Sequence, residues 1–195
     1  MSAEWVTAAG TIGTFVVIAA SAIAALMQLR HMRSSNAISL LTAYNTEFDT
    51  TEFQLAFDYV RSKLPARLED DAVLADLAEA PPFLGEYAAI RTIANFFEDM
   101  GAFVLTNLLD EHIVCRLYSE NVTSAWRSIA PVAALLRQKL GSPQIWENFE
   151  YLAVVSARFI ERYPDGLFPR RMSRMPVDNR VLDRWKTQKS GVYVG

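Results

Sequence analysis

From Trp5 to Leu29 the chain runs for 25 residues without a charged side chain, and its apolar positions leave no polar face. As a helix this stretch extends about 37 Å. A hydrocarbon core of about 30 Å needs roughly 20 apolar residues, so residues 1–30 read as a transmembrane anchor that crosses with some tilt. Thr7, Thr11, Thr14 and Ser21 can return hydrogen bonds to the preceding turn, and Gln28 falls at the interface. A cleaved signal peptide fits less well. Glu4 is the only charged residue ahead of the run, although Ala22-Ile23-Ala24 has small-residue cleavage character. A buried helix of a soluble domain is rarely apolar all round over such a length.

Downstream, helical spacing dominates and no convincing strand alternation appears, so the body is expected to be all-α. Ala37, Leu41, Tyr44 and Phe48 continue the first helix, with Ser34-Ser35-Asn36 as its weak point. Asp49 with Glu52 suggests a capping box, followed by Phe53, Phe57, Val60 and Leu64 on one face and a stop at Pro65. Residues 67–79 form a short acidic helix that Pro81-Pro82 end. Residues 83–105 carry two adjacent stripes: Phe83, Tyr87, Ile90, Ala94, Phe97 and Val104, then Ile93, Phe96, Met100 and Phe103. A helix this apolar belongs at the centre of a bundle. Helices over about 110–119 and 121–140 follow, the second bearing Trp126, Ile129, Ala133, Leu136 and Leu140 and a kink at Pro131. Gly141 then reads as a helix stop, with Ser142 as N-cap and Pro143 as first residue of a helix over 143–163. That helix aligns Ile145, Phe149, Leu152, Ser156, Phe159 and Tyr163.

Charge divides the chain. Residues 30–163, which contain the expected cytosolic bundle of residues 31–163, carry −6, and residues 164–195, an irregular Pro-containing tail, carry +4, within a total of −3. Arg30, His31 and Arg33 follow the apolar run and no Lys or Arg precedes it. The positive-inside rule then puts the N-terminus outside an inner (plasma) membrane and the rest in the cytoplasm. Lone Cys115 suits a reducing compartment and excludes an internal disulfide framework. The mildly acidic total disfavours nucleic acid as the main partner. Arg170, Arg171, Arg174, Arg184, Trp185 and Lys186 are the tail's candidate contacts, either with anionic lipid or with the acidic body. Ala9, Gly13, Val17, Ala20 and Ala24 form a small-residue stripe that suits helix association in lipid, and so a homo-oligomer or another membrane protein as partner.

Candidate chemistry is sparse. Asp110, Glu111, His112 and Cys115 are the one cluster of ligand-type side chains, but a zinc site needs three or four ligands and nothing in the spacing completes the set. No metal, cofactor or small-molecule substrate is expected. Glu150 lies on an apolar stripe with Trp146, Ala153, Ala157 and Ile160, where an acid is costly unless paired. Arg137, across the tight turn at Gly141, is its expected partner in a buried ion pair. Arg91, Asn95 and Glu98 form a second polar stripe. Both sets read as bundle fasteners rather than catalysts. Gly-rich phosphate loops, G-x-S-x-G elbows and HExxH are missing from the sequence.

The apolar run into Gln28-Leu29-Arg30-His31, then Asn95-Phe96-Phe97-Glu98 with Gly101, then Trp126, Arg137 and Trp146-x-x-Phe149-Glu150-x-Leu152, form a recognisable succession. It resembles a family of small bacterial membrane-anchored helical proteins known only as a domain of unknown function, over roughly residues 5–160. The resemblance implies a single-pass anchor with a cytosolic helical body and brings no catalytic residues. The expectation is therefore a non-enzymatic, membrane-anchored interaction or scaffold protein. A pore-forming defence effector lined by Thr7, Thr11, Thr14 and Ser21 is the second reading, and a hydrolase built on Asp110–Cys115 the third.

Overall fold

The computed structural model describes residues 3–78, 86–169, 171–175 and 179–190, which contain helices and no strand. Side chains at 4–12, 30, 33, 34, 78, 86, 182 and 187–190 lie outside that description, as do Phe83, Pro81-Pro82 and Pro176 altogether. The chain divides into two compact units, Met1–Arg162 and Tyr163–Gly195.

Helix α1 spans Ala3–Phe48, 46 residues without interruption. It runs straight through Ser34-Ser35-Asn36, where no Gly or Pro is present to end it. Along its first part the large apolar side chains are uncovered, from Phe15 at 70% exposure to Leu29 at 56%. Its last turns are packed: Tyr44 is buried, and Leu40, Leu41 and Phe48 lie against the core. Among the described residues no helix is long and apolar enough to cross a membrane, so the expected spanning segment is not a finding of the fold.

Helix α2 covers Thr51–Asp58. Its N-cap is Thr50, whose Oγ1 accepts from the Phe53 amide at 3.2 Å, one residue later than the cap expected at Asp49. Thr50 also donates to the Glu47 carbonyl at 2.7 Å, so one hydroxyl serves the end of α1 and the start of α2. Pro65 does not stop this helix. A π turn, Tyr59–Lys63, widens the coil and leads into α3, Leu64–Arg67, with Pro65 in its first turn. Proline lacks an N–H and its ring collides with the carbonyl four residues back, and the wider turn relieves both demands. Phe53, Phe57, Val60 and Leu64 are all buried, so the expected face holds across the change in pitch. Helix α4 spans Asp71–Ala78.

Helix α5, Glu86–Leu105, is the central one. It packs on α2, on α6 (Glu111–Leu140) and on α7 (Glu147–Arg162). Ile90, Ile93, Ala94, Phe97 and Met100 have no exposed surface. The region expected as two helices, 110–119 and 121–140, is the single helix α6. Tyr118, Val122, Ala125 and Ile129 form one unbroken buried stripe across the expected break, and that burial holds the helix together there. Helix α6 also continues across Pro131, which is exposed. Asp110 caps it, accepting from the Ile113 amide at 2.9 Å.

An aromatic cluster joins α1 to the body. Tyr44 meets Phe96 edge-on at 4.9 Å between centroids, and Phe48 contacts Phe53 at 5.1 Å and Tyr118 at 5.4 Å. The Tyr118 hydroxyl donates to the Asn45 side chain. Each such ring pair adds about 0.5–1.5 kcal/mol beyond simple burial. The unit Tyr163–Gly195 is not wholly irregular. It contains helix α8, Arg180–Ser190, in the stretch after Pro176 that has neither Pro nor Gly.

Candidate functional site

The residues singled out from the sequence converge where α7 begins. Helix α6 ends at Gly141, whose φ of 60° is left-handed and suits a residue without a Cβ. The amides of Gly141 and Ser142 both donate to the Arg137 carbonyl. The next helix starts at Glu147, not at Pro143, and Ser142 bonds Gln144 instead of capping it. Residues 143–146 are turns, ending at Trp146 with φ 54°. A bulky residue in this region is strained by about 1–2 kcal/mol, so its surroundings must hold it. They do: Trp146 is buried and its Nε1 donates to Asn95 Oδ1 at 3.1 Å.

Trp146, the residue before α7, has no side-chain acceptor with which to cap it. Glu98, on α5, supplies one. Its Oε2 accepts from the Phe149 amide and its Oε1 from Asn148 Nδ2, both at 2.8 Å. A carboxylate at a helix start also meets the positive end of the helix dipole. The approach is possible because position 101 is glycine. A Cβ there would lie 2.1 Å from the Asn148 carbonyl oxygen. Phe97 stacks on Phe149 at 5.1 Å, and Trp126 meets the same ring edge-on at 5.0 Å.

Arg137 closes the arrangement. Its Nε donates to the Ile145 carbonyl at 2.8 Å and its Nη1 to Glu150 Oε2 at 2.6 Å. Its guanidinium lies 5.9 Å from the Trp126 ring centroid. Arg137 thus grips the turn through both its carbonyl and its side chain. The ion pair is not buried as expected: the Arg137 side chain is 23% exposed and that of Glu150 46%. The turn leaves Glu150 at the rim of the contact. Of the polar stripe, Asn95 and Glu98 face α7, and Arg91 is half-buried one turn earlier. The tertiary cap leaves no mark in the local pattern, since its partners lie about fifty residues apart.

A second feature is a cleft of about 800 Å³ between α1 and the α5–α6 turn, lined among others by Asn36, Leu40, Asn107, Asp110 and His112. Here the expected cluster comes apart. Cys115 is buried and its Sγ lies 3.9 Å from Ser156 Oγ, whereas His112 is exposed with its ring 5.5 Å from that of Phe159. Burial pushes the Cys115 thiol above its ordinary value, Ser156 lowering and Glu111 adding to the rise, so the reactive thiolate is disfavoured. Glu111 accepts a hydrogen bond from the Tyr151 hydroxyl at 3.2 Å. Among the described residues no group of three or more His, Cys, Asp or Glu is placed to hold a metal ion.

Of the remaining candidates, Gly13, Val17, Ala20 and Ala24 are exposed on α1, and the side chain of Ala9 is outside the described set. In the second unit Arg171, Arg174, Arg184, Trp185 and Lys186 are exposed, and Arg170 lies outside the described residues. Arg174 sits 4.8 Å over the Phe168 ring and donates to the Asp165 carbonyl.

An all-helical body with this fastened α5–α6–α7 junction matches a known family over residues 15–155. The chain belongs to the family described as a domain of unknown function, DUF4760. No curated protein and no solved structure matches it.

Proposed function

We propose that the protein is a single-pass, membrane-anchored helical interaction module, with residues 1–30 in the inner membrane and the body on its cytoplasmic side. The observation that carries this reading is the continuity of α1. One helix bears uncovered apolar side chains from Phe15 to Leu29 and, about four turns later, the buried Tyr44. Surface patches this apolar are normally covered by something, and an uncharged run from Trp5 to Leu29 suits lipid. Arg30, His31 and Arg33 set the orientation. A helix without a hinge transmits tilt or rotation, so a partner that shifts the body also moves the anchor. The cleft at Asn36 and Leu40 opens beside this joint. The side chains with chemical potential support a non-enzymatic role: Glu98, Asp110 and Glu150 are committed to caps and an ion pair, and the Cys115 thiol is buried.

Alkaline carbonate extraction of cell membranes, combined with a reporter fused after Gly195, tests this. The chain should stay in the pellet and the reporter should register cytoplasm. Release into the supernatant, or an external reporter, contradicts it.

A further inference from the structure

We propose that α8 is an interfacial helix that lies on an anionic lipid surface, giving the chain a second, charge-dependent membrane contact; this rests on the membrane reading above. Val181 and Trp185 are four residues apart and share a face, 79% and 51% exposed. At about 100° per residue, Arg184 falls on one side of that face and Lys186 on the other. Apolar side chains between flanking cations match the boundary between acyl chains and headgroups, where the stems of Arg and Lys lie along the apolar layer and their charges reach the phosphates. Met172 and Met175, just upstream, are exposed as well.

Charge selects lipid over a protein groove. Residues 164–195 carry seven basic and three acidic side chains. An anionic leaflet attracts each basic residue near its surface by about fivefold in binding constant. A helix of 11 residues, about 16 Å long, with three apolar residues in its sequence offers far less area than a specific protein interface of roughly 800 Å² per partner. Tethering through α1 would supply the high effective concentration that makes so small a contact sufficient.

The test uses the full chain in nanodiscs, carrying Cys115→Ala and Val181→Cys, with an environment-sensitive fluorophore on the new thiol. Discs of phosphatidylcholine alone are compared with discs containing phosphatidylglycerol. Emission should shift to the blue in anionic discs only. It should revert at about 0.5 M NaCl, where screening is strong. Adding Arg184→Glu and Lys186→Glu should lower the shielded fraction at least about tenfold. No shift in either disc overturns the proposal. An equal shift in both compositions also overturns it, because the face is then covered by protein, either this chain's body or a second copy. Failure of α1 looks different: the chain would not be retained by discs of either composition, and sedimentation of the free chain with phosphatidylglycerol vesicles would still decide for or against α8.

Discussion

Glu98 and Gly101 act together, one as cap and the other as the space that lets the cap reach. Replacing Glu98 by Ala leaves the Phe149 amide and the Asn148 side chain without their acceptor. The loss should be about 2 kcal/mol, a charged hydrogen bond plus a cap. Gly101→Ala should cost more, about 3 kcal/mol, because backbone rather than a flexible side chain stands in the way. Gly13→Ala is the control, since a Cβ there meets nothing within 4 Å. Thermal melts of the three variants should rank Gly13→Ala nearest the parent and Gly101→Ala lowest, and any other order contradicts the junction described. Burial raises the phenols of Tyr44 and Tyr118, with Asp99 and Glu47 adding at Tyr44 and Asp49 at Tyr118. Both groups therefore hold their protons more tightly folded than unfolded. Their contribution is complete below the ordinary phenol value of about 10 and is lost as pH rises past it. Melting temperature should fall between about pH 10 and 11, more in the parent than in Tyr44→Phe, and a flat profile would remove this assignment. Periodicity pointed to Arg137 with Glu150 because both lie beside one tight turn. It could not reveal Trp146 as a left-handed residue or Asn95 as its partner, since neither spacing nor residue type encodes a contact between distant segments.

Helix faces were legible wherever burial follows one period, as in the stripes of α5 and the Phe53–Leu64 face. Boundaries were less so. The cap expected at Asp49 belongs to its neighbour Thr50, whose hydroxyl reaches the Phe53 amide. Thr50→Ala should destabilise the body by about 1 kcal/mol and Asp49→Ala by much less. Equal losses in chemical denaturation would return the cap to Asp49. A proline usually stops a helix, and the π turn at Tyr59–Lys63 is what lets the chain stay helical through Pro65. The break expected near residue 120 had no Gly or Pro behind it, and the stripe through Val122 closes it. Helix α8 leaves little pattern in the sequence, because prolines dominate the tail and Val181, Leu182 and Trp185 are too few to show a period.

The chain is a helical body built around α5, entered by a long helix whose residues 13–29 are exposed, and followed by a second, basic unit. The apolar run was the plainest feature of the sequence, and α1 adds that it joins the core without a break. What the run rests in is the question on which the functional reading turns. Single cysteines placed in turn at 13–29 of the Cys115→Ala chain, labelled in reconstituted bilayers, can be quenched from water or from within the lipid. Membrane residence predicts a depth profile in which lipid-borne quenching peaks near Val17, the middle of the Trp5–Leu29 run, and aqueous quenching is weakest there. Uniform access of the aqueous quencher along the whole stretch, or shielding from both quenchers, would contradict it.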